Sequence, residues 1–235
     1  WVFIRRWFPD RPRKPKGRIG LRSFFDEFAE GLGYARANKP LFFFALFGLA
    51  PGYAAHMSNV LLVGFSTDSL QAGAEGFGLL DMSYGIGAMI CGLGLPVFLQ
   101  RFGTRATLPT VSLFLVAVSC ILVSFSQSLV FAMFCFAGFA MFGQLVGILA
   151  NTTLQRECEG EVVGRLVSLV NVVQYLMAPI LVWGLGVYAE LPRGRLVHED
   201  SLRDGFVAVA LFFLLLAGAS LFGTYPFLKR QEGRN

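Results

Sequence analysis

Six stretches of this chain are too long and too poor in charge to be ordinary soluble helices. Residues 41–65, 76–99, 106–123, 129–150, 166–189 and 205–227 each meet or approach the roughly 20 mostly apolar residues that one helical crossing of a bilayer core requires. None shows the apolar and polar alternation, over roughly ten residues, that marks the strands of a membrane barrel. The expected fold is therefore all-α: a polytopic membrane protein with six transmembrane helices. Composition agrees, with 55% hydrophobic and only 15% charged residues, and 25 Phe spread along the sequence.

Charge sets the orientation, because basic residues near helix ends stay on the cytoplasmic side. Ten Lys and Arg precede the first window, and others follow the second (Arg101, Arg105), fourth (Arg156, Arg165) and sixth. The opposite side has only Arg193, Arg195 and Arg203, among Glu190, Glu199, Asp200 and Asp204. Both termini are expected in the cytoplasm, with a bacterial inner (plasma) membrane as the location. The net charge of +5 raises the question of nucleic acid. The basic run "RRWFPDRPRKPKGR" has no recognisable binding module around it, so anionic lipid headgroups are its simpler partner. Three of the four cysteines fall inside apolar windows and Cys158 in a predicted loop, without a disulfide framework or metal-binding spacing. No cofactor and no metal is expected. No nucleotide-binding, zinc-protease or serine-hydrolase motif is present, so an enzyme is not expected either.

The organisation reads in three parts. Residues 1–40 form a basic cytoplasmic linker and an interfacial helix, with 1–4 resembling the end of a preceding span; 41–228 form the six-helix bundle; 229–235 form a cytoplasmic tail. In "SFFDEFAEGLGYARANKP", Ser23 and Asp26 have capping-box spacing, and Phe24, Phe25, Phe28 and Leu32 share one helical face. That pattern predicts a helix lying flat on the membrane surface.

Polar side chains are costly in a bilayer unless they face protein or water, so their distribution marks the helices that line an interior. His56 and Asn59 fall in the first span, Asp81 and Tyr84 in the second, Gln144 in the fourth, and Asn171, Gln174 and Tyr175 in the fifth. The third and sixth have only Ser or Thr. His56 with Asn59, Asp81 with Tyr84, and Asn171 with Gln174 stand three residues apart, each pair on one helix face. Two readings follow: hydrogen bonds that join neighbouring helices, or a cavity with an outer and an inner polar tier. Gly143 and Gly147, and more loosely Ala88 and Gly92, have the spacing of close helix packing, and Pro51 and Pro179 interrupt the first and fifth spans.

The segment "LQRECEGEVVGRLVSL", residues 154–169, resembles the connection between the tenth and eleventh helices of major facilitator superfamily exporters. Its nearest likeness is the branch that includes macrolide and siderophore exporters, through Gln155, Gly164, Arg165, Ser168 and Leu169. The family proline there is Glu159 in this chain, and an Arg common before the Gly is Val163. "EGLGYARANKPL" is similar to the approach to the family's seventh helix, and "RFGTR" to the turn after its eighth. The acidic residue often found before that turn is Gln100. The resemblance implies the second half of a twelve-helix architecture, with the third and sixth spans on the outside.

These observations point to a secondary transporter that exports a hydrophobic or amphiphilic small molecule by proton antiport and alternating access. His56, Asn59, Tyr84, Gln144, Asn171, Gln174 and Tyr175 would line its cavity, and Asp81 is the candidate for proton coupling. Arg101, Arg105, Arg156, Glu161 and Arg165 would form a cytoplasmic latch. The partners expected are the bilayer, the transported molecule, and either a six-helix N-terminal half or another membrane subunit. A different class stays open, since six helices cannot rock against themselves: a non-transporting subunit that scaffolds or assembles a larger membrane complex.

Overall fold

A bilayer offers no water to backbone amides, so each apolar stretch has to satisfy its own hydrogen bonds as helix. The computed structural model describes residue 33 and residues 48–102, 107–157, 160–190 and 201–232. Six helices account for nearly all of these residues. α1 (Ala50–Gly64) runs directly into a π-helical turn, Phe65–Ser69. α2 (Gly73–Phe102), α3 (Leu108–Phe125), α4 (Leu129–Glu157), α5 (Gly160–Glu190) and α6 (Ser201–Glu232) follow. α2 to α6 each hold a stretch long and apolar enough to cross a membrane. Residues 41–47 of the first window and the predicted interfacial helix, apart from Gly33, lie outside the described residues. The protein is an all-α, polytopic integral membrane protein.

The helices outrun the apolar windows. α4 continues through Glu157 and α5 starts at Gly160, so much of the loop expected between the fourth and fifth spans is helical. α6 starts at Ser201, which moves Arg203 and Asp204 from a loop onto a helix. Hydropathy stops at the first charges, whereas a helix continues until its backbone hydrogen bonds are capped or broken. Pro51 stands in the first turn of α1, where its missing N–H has no partner to lose. Pro179 lies inside α5 and Pro96 inside α2.

Packing is set by where backbones can approach. A Cβ on Gly87 of α2 would overlap the Ala137 carbonyl of α4, so these two parallel helices meet backbone to backbone. Gly147 of α4 admits Pro51 of α1, whose Cγ lies 2.7 Å from where a Cβ would stand. Gly143 faces the same stretch of α1, through Pro51 and Ala54. The 143/147 motif therefore packs as its spacing implies. Gly92 does not, for a Cβ there would meet nothing within 4 Å; the close contact belongs to Gly87.

α3 and α6 run antiparallel, joined near one end by Ser220 Oγ donating to Thr110 Oγ1 at 2.7 Å and near the other by Ser124 Oγ donating to the Arg203 carbonyl at 2.9 Å. Phe65, Phe136, Phe139, Phe206 and Phe213 fill the space between α1, α4 and α6. Their rings meet mainly edge to face, as in Phe65–Phe206 (5.0 Å) and Phe139–Phe213 (6.2 Å), with Phe136 and Phe139 stacked. Within this bundle α3 and α6 are more enclosed than α2 and α5. The apolar stretch of α3 is 50% buried and that of α6 44%, against 28% for α2 and 17% for α5.

Candidate functional site

The residues singled out as polar lie on α1, α2, α4 and α5. On α1, His56 and Asn59 are both exposed, one turn apart. Asp81, two turns into α2, is exposed; Tyr84 on the next turn is half-buried, its ring against Phe136 (5.7 Å) and Phe139 (6.2 Å) of α4. The half-buried Gln144 of α4 and the Asp81 carboxylate both lie near the Tyr84 hydroxyl. Asp81, Tyr84 and Gln144 therefore lie close together between α2 and α4.

A second group joins α1 to α5. The half-buried Gln174 amide presses against Gly52, where any side chain would collide with it. The glycine thus admits a polar side chain to the helix interface. Asn171 and Tyr175, at neighbouring positions on α5, are exposed. The latch residues Arg156, Glu161 and Arg165 fall on helical backbone, as does Arg101, but their side chains lie outside the described residues, and Arg105 and Cys158 lie outside altogether. Among the described residues no cluster of His, Cys, Asp or Glu is arranged to hold a metal ion.

One well-organised polar feature is absent from the sequence reading. Arg203, on the first turn of α6, donates from Nη1 to the carbonyls of Ser124 (2.9 Å) and Ser126, and from Nη2 to that of Ser69 (3.4 Å). Its guanidinium also lies 5.6 Å from the centre of the Phe65 ring. One side chain thus ties the ends of α1 and α3 to the start of α6. Asp204 beside it is fully buried in the first turn of α6, where the positive end of the helix dipole favours a carboxylate. Loop-like surroundings hid both residues; the signal available was an Arg-Asp pair directly preceding an apolar run.

An apolar cleft of about 340 Å³ opens elsewhere, between α2, α3 and α4, and none of the predicted cavity residues lines it. The profile of the Major Facilitator Superfamily matches residues 1–182 of the chain. The chain belongs to the major facilitator superfamily. No curated protein and no solved structure matches it. Major facilitator proteins are membrane transporters. The all-helical bundle, with its packing glycines and its polar groups confined to certain helices, is an arrangement such a protein can use.

Proposed function

We propose that this major facilitator protein is a secondary active transporter that expels a hydrophobic or amphiphilic small molecule in exchange for protons. The observation that carries the proposal is the uneven wetting of the bundle. His56, Asn59, Asp81, Asn171 and Tyr175 are exposed, while α3 and, beyond its first turn, α6 bear no strong polar group along their apolar stretches. Exposed Asn, Asp and His at membrane depth call for water or protein opposite them. A second six-helix half facing α1, α2 and α5 would enclose these residues in a shared cavity. The likeness to macrolide and siderophore exporters around Gln155, Gly164 and Arg165 favours export of an amphiphile, and exposed Trp183 and Tyr175 suit its apolar parts.

Asp81 is the proton carrier in this reading, because it is an exposed carboxylate two turns into α2, one turn from Tyr84. Residues 1–40 act as a basic cytoplasmic lead-in to the bundle and 229–235 as its tail, with both termini on the cytoplasmic side of a bacterial plasma membrane. The deciding experiment places the full-length protein in proteoliposomes with an imposed pH gradient and follows efflux of a fluorescent amphiphile. Asp81→Asn should abolish proton-driven movement while exchange down a substrate gradient persists. Proton-driven efflux at the wild-type rate in Asp81→Asn would remove Asp81 from the mechanism. A protein that moves no amphiphile and migrates stoichiometrically with one stable membrane partner would instead support the scaffold reading.

A further inference from the structure

The cleft between α2, α3 and α4 is independent of the polar groups used above. Ile90 and Gly94 of α2, Val111 and Leu115 of α3, and Phe142 and Leu145 of α4 form its walls, which present almost no polar atom. Ser112, the one hydroxyl residue on its lining, donates its hydrogen bond to the Leu108 carbonyl at 2.8 Å, within its own helix. Nothing in the cleft can orient a polar solute, and apolar space of this kind holds no water. Ile90 and Val111 on its rim are each 51% exposed, so the cleft opens toward the bilayer side of the helices rather than into the aromatic core. Gly94 keeps it open, since a Cβ there would meet nothing within 4 Å.

Depth and charge select the occupant. At about 1.5 Å per residue, Leu95 lies about 10 Å and Ile90 about 18 Å from the Phe102 end of α2. A hydrocarbon core about 30 Å thick places that interval within roughly one leaflet. The sequence puts Arg101 in the last turn of α2, at that leaflet's surface. An apolar slot one leaflet deep, beneath a basic helix end, matches a molecule with a hydrocarbon tail and an anionic head.

We infer that the cleft is a phospholipid site: an acyl chain of an anionic phospholipid, from the leaflet on the Arg101 side, lies between α2, α3 and α4. The chain completes the packing of three helices that protein atoms leave unfilled, and the phosphate of the headgroup lies at the Arg101 end.

The test is native mass spectrometry of the full chain, delipidated in detergent and titrated with phosphatidylglycerol or phosphatidylcholine. Wild-type protein should retain one phosphatidylglycerol at concentrations where phosphatidylcholine is mostly free. Gly94→Phe, which fills the slot, should lose that lipid. Gly92→Phe, on the same helix but off the cleft and equally without close neighbours, should keep it. Arg101→Gln should reduce the preference for phosphatidylglycerol by roughly fivefold. Equal lipid retention by the Gly94→Phe and wild-type proteins would overturn the site, as would wild-type protein that retains no lipid or whose cleft is covered by a second copy in a dimer. Equal retention of the two lipids by wild-type protein would overturn the anionic assignment. Thermal unfolding in detergent, with Gly94→Phe no less stable than Gly92→Phe, separates a filled slot from a misfolded bundle.

Discussion

α6 and α5 are consecutive helices of similar length, yet the bundle treats them in opposite ways. α6 lies against α3 along its length, with Phe206, Val209, Phe213 and Ser220 essentially closed to the outside. α5 touches mainly α1 and α6, and leaves Tyr175, Leu176, Ile180 and Trp183 more than half exposed. Apolarity does not explain the difference, since the crossing stretches of both are well above what a span requires, at mean hydropathy 2.1 and 1.6. The polar content along the middle of each helix does. Asn171, Gln174 and Tyr175 need partners or water along α5, while the Ser and Thr of α3 and α6 are satisfied within their own helices or across the seam between them. Lipid is as apolar as Leu, so helix burial in a membrane follows packing fit and polar satisfaction more than hydrophobicity.

That contrast can be broken most forcefully at Phe213. Replacing it by Ala should cost about 3–5 kcal/mol, because the ring is fully enclosed between Phe139 and Phe212, and thermal unfolding in detergent measures the loss. Arg203→Ala removes the tie that joins α1, α3 and α6 and should cost about 1.5–3 kcal/mol, accompanied by faster hydrogen exchange at residues 65–69 and 123–126. Ser220→Ala deletes one hydroxyl bond across the seam, and a double-mutant cycle with Thr110→Ala should return about 0.6 kcal/mol. Trp183→Ala, on the open side of α5, should shift stability by no more than about 0.5 kcal/mol in the isolated chain. A loss there as large as at Phe213 would mean that α5 is covered, and the contrast would disappear.

The five spans of α2 to α6 were legible because a long apolar run has few ways to satisfy its backbone, and the 143/147 glycine pair was legible because its spacing reports packing directly. Other features depend on partners far away in sequence. Gly87 differs from Gly92 only in having Ala137 opposite it, 50 residues on, so no local pattern separates them. Gln174 reads as a cavity residue from its helix, and the contact of its amide with Gly52 is one that no local pattern records. Arg203 sits among acids at the edge of a hydropathy window, where positive charge ordinarily marks a loop, and its acceptors are carbonyls that no side-chain pattern records. The cleft is a property of three walls and belongs to no single segment. Asp81, Tyr84 and Gln144 are an intermediate case: spacing put the first two on one face, and only the fold brings in the third.

The acceptors of Arg203 have a consequence for how this sequence can drift. All three are main-chain oxygens, at residues 69, 124 and 126, and exchanging a side chain does not delete them. Position 203 has no such freedom, because a lysine ammonium lacks the planar fork that serves several carbonyls at once. The fastening therefore concentrates its mutational fragility in one codon, while the places it grips stay open to variation.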